Sequence, residues 1–203
     1  TRLEYFGQGE IARRIQPDGY QVDYLYDTEE RLIGVKNQRG ELYRLRRDAL
    51  GRIIEEVDYW GQSRRYAYDP SGYLKSSTDP LQRTIHYATD PLGRILKKTL
   101  PTGFVETFAY DANGNLVETK NPHGAIKREF DPDGRLLKET QGTFMITNAY
   151  DKVGNRISRE TSLGNRVAYE FDLLDQAVAI RINEDVPISI QRDAAGRIAQ
   201  EKL

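Results

Sequence analysis

The stretch Tyr110-Asp111-Ala112-Asn113-Gly114-Asn115-Leu116 decides how the rest of the chain is read, because variants of it recur from end to end. Its aspartate falls at Asp27, Asp48, Asp69, Asp90, Asp111, Asp131, Asp151, Asp172 and Asp193, with successive spacings of 21, 21, 21, 21, 20, 20, 21 and 21 residues. Three residues after the aspartate stands Gly51, Gly72, Gly93, Gly114, Gly134, Gly154 or Gly196, while Glu30 and Asp175 break the rule. One step of 21 residues back from Asp27 reaches Phe6, with Gly9 and Ile11 at matching offsets, so the chain opens in a degenerate copy. A unit this short cannot bury a core alone and must lean on its neighbours.

The motif carries the chemistry of a turn. In Asp90-Pro91-Leu92-Gly93 the carboxylate can accept from the N–H two residues on, proline presets φ, and glycine supplies the positive φ that closes a bulged hairpin. A second set of turns lies midway, at Gln16-Pro17-Asp18-Gly19, Leu100-Pro101-Thr102-Gly103 and Asn121-Pro122-His123-Gly124, with weaker versions ending at Gly40, Gly61 and Gly164. After Asp111 the return segment Ala125 to Phe130 is read as one residue short, which accounts for the spacing of 20 there.

Between turns the segments are short, rich in Val, Ile, Thr and Tyr, and alternate with period 2, so they read as strands. Odd offsets before the aspartate are mostly large and apolar, as in Val22, Tyr24 and Tyr26 or Val167, Tyr169 and Phe171. Even offsets are small or polar, as at Ala67, Ala88, Ala109 and Ala149. This alternation predicts one packed face and one wet face. An aliphatic residue recurs at the fifth offset (Leu32, Ile53, Leu74, Ile95, Leu116, Leu136), but Asp151 is followed at that distance by Arg156, with Ile157 next, which predicts an extra residue and a local bulge. The fold expected is all-β: tandem hairpins of about 21 residues forming a long curved antiparallel ribbon. Residues 1 to 203 read as one segment of nine to ten repeats, excised from a longer chain.

Composition narrows the function. The chain is 38% hydrophobic and 30% charged, with a net charge of −1, so nothing in the bulk charge favours nucleic acid, and its apolar runs are too short for insertion into a membrane. It has no cysteine, which excludes disulfides and thiolate chemistry. The nine aspartates come one per turn rather than in the dense array that a calcium β-roll needs, so they are read as turn caps and no metal is expected. His86 and His123 fall in different repeats without a partner at ligand spacing, and no nucleophile elbow, phosphate loop or zinc-binding helix motif occurs. No cofactor and no catalysis are expected. Arg31, Arg52, Arg94, Arg135 and Arg197 follow the turn and are read as pairing with carboxylates or capping an adjacent turn rather than as an anion stripe.

The runs Tyr68-Asp69-Pro70-Ser71-Gly72-Tyr73-Leu74, Thr89 to Ile95 and Tyr110 to Leu116 resemble the tyrosine–aspartate (YD) repeats of the rearrangement-hotspot (Rhs) family. Tyr26, Tyr68, Tyr110 and Tyr150 match the repeat tyrosine, while Arg47, Thr89, Phe130, Phe171 and Arg192 replace it. The resemblance implies a hairpin strip spiralling into a hollow shell, as in bacterial Rhs toxins, insecticidal toxin complexes and animal teneurins. It further implies an exported, secreted or cell-surface protein whose partners are the remainder of the shell and an enclosed C-terminal passenger toxin. The family's self-cleavage residues have no counterparts among these positions. The competing reading is a cell-surface carbohydrate-binding or adhesion module, which requires aromatic side chains on a solvent face. Exposed terminal strands, at Leu3 to Ile15 and Ile188 to Leu203, are expected to support self-association.

Overall fold

The computed structural model describes residues 1–193 and 196–202, so Leu203 lies outside the described residues. Among the described residues there are twenty strands and no helix. Contacts divide the chain into two units, Thr1–Phe104 and Val105–Leu203. The first unit contains β1 (Arg2–Phe6), β2 (Glu10–Ile15), β3 (Gln21–Tyr26), β4 (Leu32–Lys36), β5 (Leu42–Arg47), β6 (Ile53–Val57), β7 (Ser63–Tyr68), β8 (Leu74–Thr78), β9 (Thr84–Thr89) and β10 (Ile95–Thr99). The second contains β11 (Val105–Tyr110), β12 (Leu116–Asn121), β13 (Gly124–Phe130), β14 (Leu136–Gln141), β15 (Phe144–Tyr150), β16 (Arg156–Thr161), β17 (Arg166–Phe171), β18 (Ala177–Ile182), β19 (Ile188–Arg192) and β20 (Ile198–Lys202).

Within each unit every strand pairs antiparallel with the next in sequence, giving a meander in which strands touch only their sequence neighbours. The order follows from the turns. Each Asp-x-x-Gly unit leaves three residues in its loop, as where Asp111 N donates to Asn115 O at 3.0 Å and Gly114 N donates to Asp111 O at 3.1 Å. A three-residue loop of this kind needs a left-handed residue in its last position. The two copies that lack glycine meet the same demand, with φ of 58° at both Glu30 and Asp175, and so does Gln82 at 61°. The hairpin at Asp172 therefore closes like the others, with Asp172 N donating to Gln176 O and Asp175 N to Asp172 O. The opening copy closes too: Gly9 N donates to Phe6 O, and the rings of Phe6 and Tyr26 stack with centroids 6.3 Å apart.

Three local expectations are corrected. The residue missing after Asp111 is lost from the turn, not from the return strand: Asn121 pairs directly with Gly124 across a two-residue loop, and β13 keeps full length. Gln141 and Phe144 pair in the same way in the next repeat, which also has a spacing of 20. The bulge near Ile157 is not special, because Tyr26↔Leu32 followed by Leu25↔Gly34 shows the same skipped residue as Tyr150↔Arg156 followed by Ala149↔Ser158. Ile157 therefore fills the ordinary bulge position and no residue is inserted. Finally, the face carrying the odd offsets is half-buried rather than a core; among the described residues only Val22 and Ile190 are buried hydrophobics, at 8% and 9% exposure. Within a unit no second layer lies over the strands, so side chains are covered only by their neighbours on the sheet.

The turn geometry makes a pair of opposite predictions. Gln82→Gly should stabilise the fold by about 1 kcal/mol, since it removes a side chain from the left-handed region. Gly93→Val should destabilise by more than about 1 kcal/mol, because it forces a β-branched residue to φ 81° and drives its Cβ into the Tyr73 ring. Urea melts of the two variants, read by far-ultraviolet circular dichroism, check both signs.

Candidate functional site

The repeated unit is itself the most organised group of polar side chains in the protein. At most of the aspartates one carboxylate oxygen accepts from two backbone donors. Asp131 Oδ1 takes Asp133 N at 3.0 Å and Arg135 N at 2.9 Å, and Asp48, Asp90 and Asp111 do the same two and four residues on. The other oxygen takes the side chain at the fourth offset. Arg135 Nε donates to Asp131 Oδ2 at 2.6 Å, Arg94 to Asp90 at 2.6 Å, Arg52 to Asp48 and Arg31 to Asp27 at 2.8 Å. At Asp111 and Asp151 the amides of Asn115 and Asn155 take the same place. Asp69, Asp172 and Asp193 also cap their turns through backbone N–H groups at that offset.

These donors hold the carboxyls of Asp27, Asp48, Asp90, Asp111, Asp131 and Asp151 below the usual carboxylate range. For Asp27 the main cause is the Arg31 backbone N–H; for Asp48 it is the Arg52 guanidinium and for Asp111 the Asn115 amide. At Asp90, Asp131 and Asp151 partial burial pushes upward, but the combined donors outweigh it and the carboxyl is still lowered. A carboxylate with its lone pairs so engaged has little to offer a cation. Among the described residues no three His, Asp or Glu side chains gather where they could hold a metal ion.

The fourth-offset side chains also reach forward to the next repeat. Arg52 lies over the Tyr68 ring, 4.6 Å from its centroid, and Arg135 over Tyr150 at 5.4 Å. Their guanidinium nitrogens stand above Gly72 and Gly154, as Arg31 stands above Gly51. Where the following turn has Asp175 in place of glycine, Asn155 Nδ2 donates to its Oδ1 at 2.8 Å. The arginine series is thus a chain of turn-to-turn braces, with one end on its own aspartate.

The repeat tyrosine forms a second tie. Tyr26 OH donates to Ile11 O at 2.9 Å, Tyr68 OH to Ile53 O at 2.7 Å and Tyr150 OH to Leu136 O at 3.0 Å. Each acceptor is the fifth-offset residue of the preceding repeat, next to its bulge. The arginines that replace tyrosine make the same connection: Arg47 Nε and Nη2 donate to Leu32 O, and Arg192 Nη2 donates to Ala177 O. Sequence inspection treats Arg47 and Arg192 as lost motif residues, whereas the structure shows them as working substitutes. A second turn was also missed, at Asp79-Pro80-Leu81-Gln82, where Arg83 Nε donates to Asp79 Oδ2 at 2.7 Å. An Asp-Pro followed by Arg four residues after the Asp was the available signal.

The remaining candidates do not assemble a reaction centre. His86 lies on β9 and His123 in the loop between β12 and β13, in separate units. Tyr43 OH donates to Glu56 Oε2 at 2.9 Å, and burial together with that carboxylate pushes the phenol up to about 12, so it remains a protonated donor. The most exposed aromatics among the described residues are Trp60 at 81%, Tyr5 at 63% and Phe6 at 53%; Trp60 stands at a turn tip, and Tyr5 and Phe6 are consecutive on the first strand and so point to opposite faces.

Residues 43–182 match the family described as Teneurin YD-shell. The chain belongs to that family. No curated protein sequence matches it. Among solved structures, this YD-shell chain is similar to TcdB2-TccC3-TEV at 15% identity and a TM-score of 0.36, covering 99% of this chain and 17% of that one. TcdB2-TccC3 without its hypervariable C-terminal region gives 16% identity and 0.37, with 98% and 17% covered. The Tc holotoxin pore of Photorhabdus luminescens gives 15% and 0.36, with 99% and 17% covered. The YD-shell chain therefore spans about a sixth of the length of the chains it matches.

Two predictions follow from the ties. Tyr68→Phe removes the bond to Ile53 O and should cost about 1 kcal/mol, while Tyr68→Arg, which copies positions 47 and 192, should cost less; chemical melts of the two variants decide. For the aspartates, folded values lowered from about 3.9 mean that their stabilisation is complete above that value and lost as pH falls through the lower folded values. The melting temperature measured by calorimetry should therefore hold steady from neutral pH to about 5 and fall below about 4, with Asp131→Asn flattening the fall.

Proposed function

We propose that residues 1–203 form one continuous stretch of the wall of a YD shell, a non-catalytic segment of an exported bacterial Rhs-type toxin whose shell encloses a passenger domain. The observation that carries this reading is the sameness of the ties. Caps, braces and tyrosine bonds recur from turn to turn within both units, and among the described residues they converge at no single point. Catalysis needs unlike groups gathered at one point, whereas a wall needs like groups repeated along a line. Membership of the YD-shell family supports the same role. Release of the passenger into the medium or at a cell surface fits that role.

On this reading the partners are the preceding and following shell repeats and the passenger. Among the described residues β1 of the first unit pairs only with β2, and β20 of the second only with β19, so each has one edge available to a further strand. Chains cut from a shell should pair through such edges. Light scattering of the 203-residue chain across concentrations should therefore show association, lost when Arg2–Phe6 and Ile198–Lys202 are deleted. A glycan array should show no tight binder, and a strictly monomeric chain with a micromolar sugar ligand would favour the carbohydrate-binding reading instead. The passenger is tested in the full-length parent protein: a protease added under native conditions should spare it until denaturant opens the shell. Digestion at the same rate with and without the shell would overturn encapsulation.

A further inference from the structure

One patch of the first unit departs from the repeat. Two residues before the aspartate, where Ala67, Ala88, Ala109 and Ala149 stand elsewhere, this repeat has Leu25. Opposite it across β3 and β4 is Gly34, at an offset filled in later repeats by Glu55, Ser76, Lys97, Glu118 and Lys138. Every other glycine of the chain has a positive φ; Gly34 does not, so the backbone does not require it. What it supplies is room. A Cβ at Gly34 would lie 3.1 Å from Tyr43 O, 3.2 Å from Leu42 Cδ1 and 3.4 Å from Leu25 Cδ1, so the two leucines close over bare backbone.

The cross-strand row runs on from Leu25 and Gly34 to Arg44 on β5 and Val57 on β6. Together with the bulge residue Ile33 these side chains line an open cleft of about 580 Å³, and Arg44 and Arg46 stand at its rim. That size falls within the range of small-molecule sites, about 300 to 1,000 Å³. Leu25 is 40% exposed at an offset that is small or polar in other repeats, and Ile33 beside it is 37% exposed.

Charge accounting singles out one group. Asp27 and Asp48 are held by Arg31 and Arg52, and Glu55 accepts from Ser63 and Arg65 and lies 3.4 Å from Arg46. Arg47 is spent on the carbonyls of Leu32 and Gly51. Among the described residues Arg44 alone of the cleft's cations has no ion pair and no hydrogen-bond partner. A wholly apolar partner would cover that guanidinium without a counter-charge, and a simple ion would leave the aliphatic floor wet.

We infer that this cleft binds a small amphiphilic anion, with its apolar body on Leu25, Leu42 and Val57 and its carboxylate or sulfonate head on Arg44. The test uses the whole chain and the fluorescent sulfonate anilinonaphthalene sulfonate, with decanoate and decanol as competitors. One saturable site per chain is expected, displaced by decanoate and about tenfold more weakly by decanol. Arg44→Gln should weaken the sulfonate and decanoate about tenfold while leaving decanol unchanged. Leu25→Ala should weaken all three, and circular dichroism melts confirm that both variants remain folded. Binding that does not saturate, that ignores Arg44→Gln, or in which decanol competes as well as decanoate, overturns the assignment.

Discussion

The carboxylate at the head of each Asp-x-x-Gly turn is the interaction on which the rest of this structure depends. Within each unit the described strands form a single layer with no interior to stabilise it, and the loops would otherwise leave N–H groups without fixed partners. By accepting from backbone donors two and four residues on, the aspartate fixes the loop conformation, and with it the strand register on either side. Its second oxygen then fixes the arginine or asparagine that braces the following turn. The local cap and the contact between repeats are two ends of one chain of bonds.

Coupling of this kind is nearest-neighbour coupling. Each repeat adds one cap, one brace and, where the side chain can donate, one bond from the repeat tyrosine or arginine to a carbonyl fourteen or fifteen residues back. Stability then grows with the number of repeats rather than with the volume of a core. It also explains why single copies can drift: Phe130 and Phe171 cannot donate, yet the hairpins around them keep register because neighbouring ties remain. A wall can lose one such tie, whereas a catalytic constellation cannot lose one of its groups.

The cleft at Leu25 and Gly34 illustrates the converse. In a repetitive protein the general rule accounts for most residues, so a coherent departure stands out against it. Leucine in place of alanine and glycine in place of a polar residue would each be unremarked in a globular domain. Together, on adjacent strands and beside an uncompensated arginine, they give the cleft of this repeat an aliphatic floor.

The sequence by itself determined the period, the strand count per repeat, the turns that carry Asp-x-x-Gly and the all-β class, because each rests on local chemistry: proline, glycine and aspartate within four residues, and alternation with period 2 between them. The conformation of Glu30, Gln82 and Asp175 was not legible, since nothing about these side chains announces a positive φ that the hairpin imposes on them. Nor was the shortened turn at Asn121, because Asn-Pro-His-Gly reads equally well as a loop of two residues or three. The equivalence of Tyr68 with Arg47 and Arg192 needed the tertiary structure most. A phenol and a guanidinium share no shape or hydropathy, only a donor long enough to reach a carbonyl at the start of the neighbouring strand, and that carbonyl is brought within reach only when neighbouring repeats lie side by side.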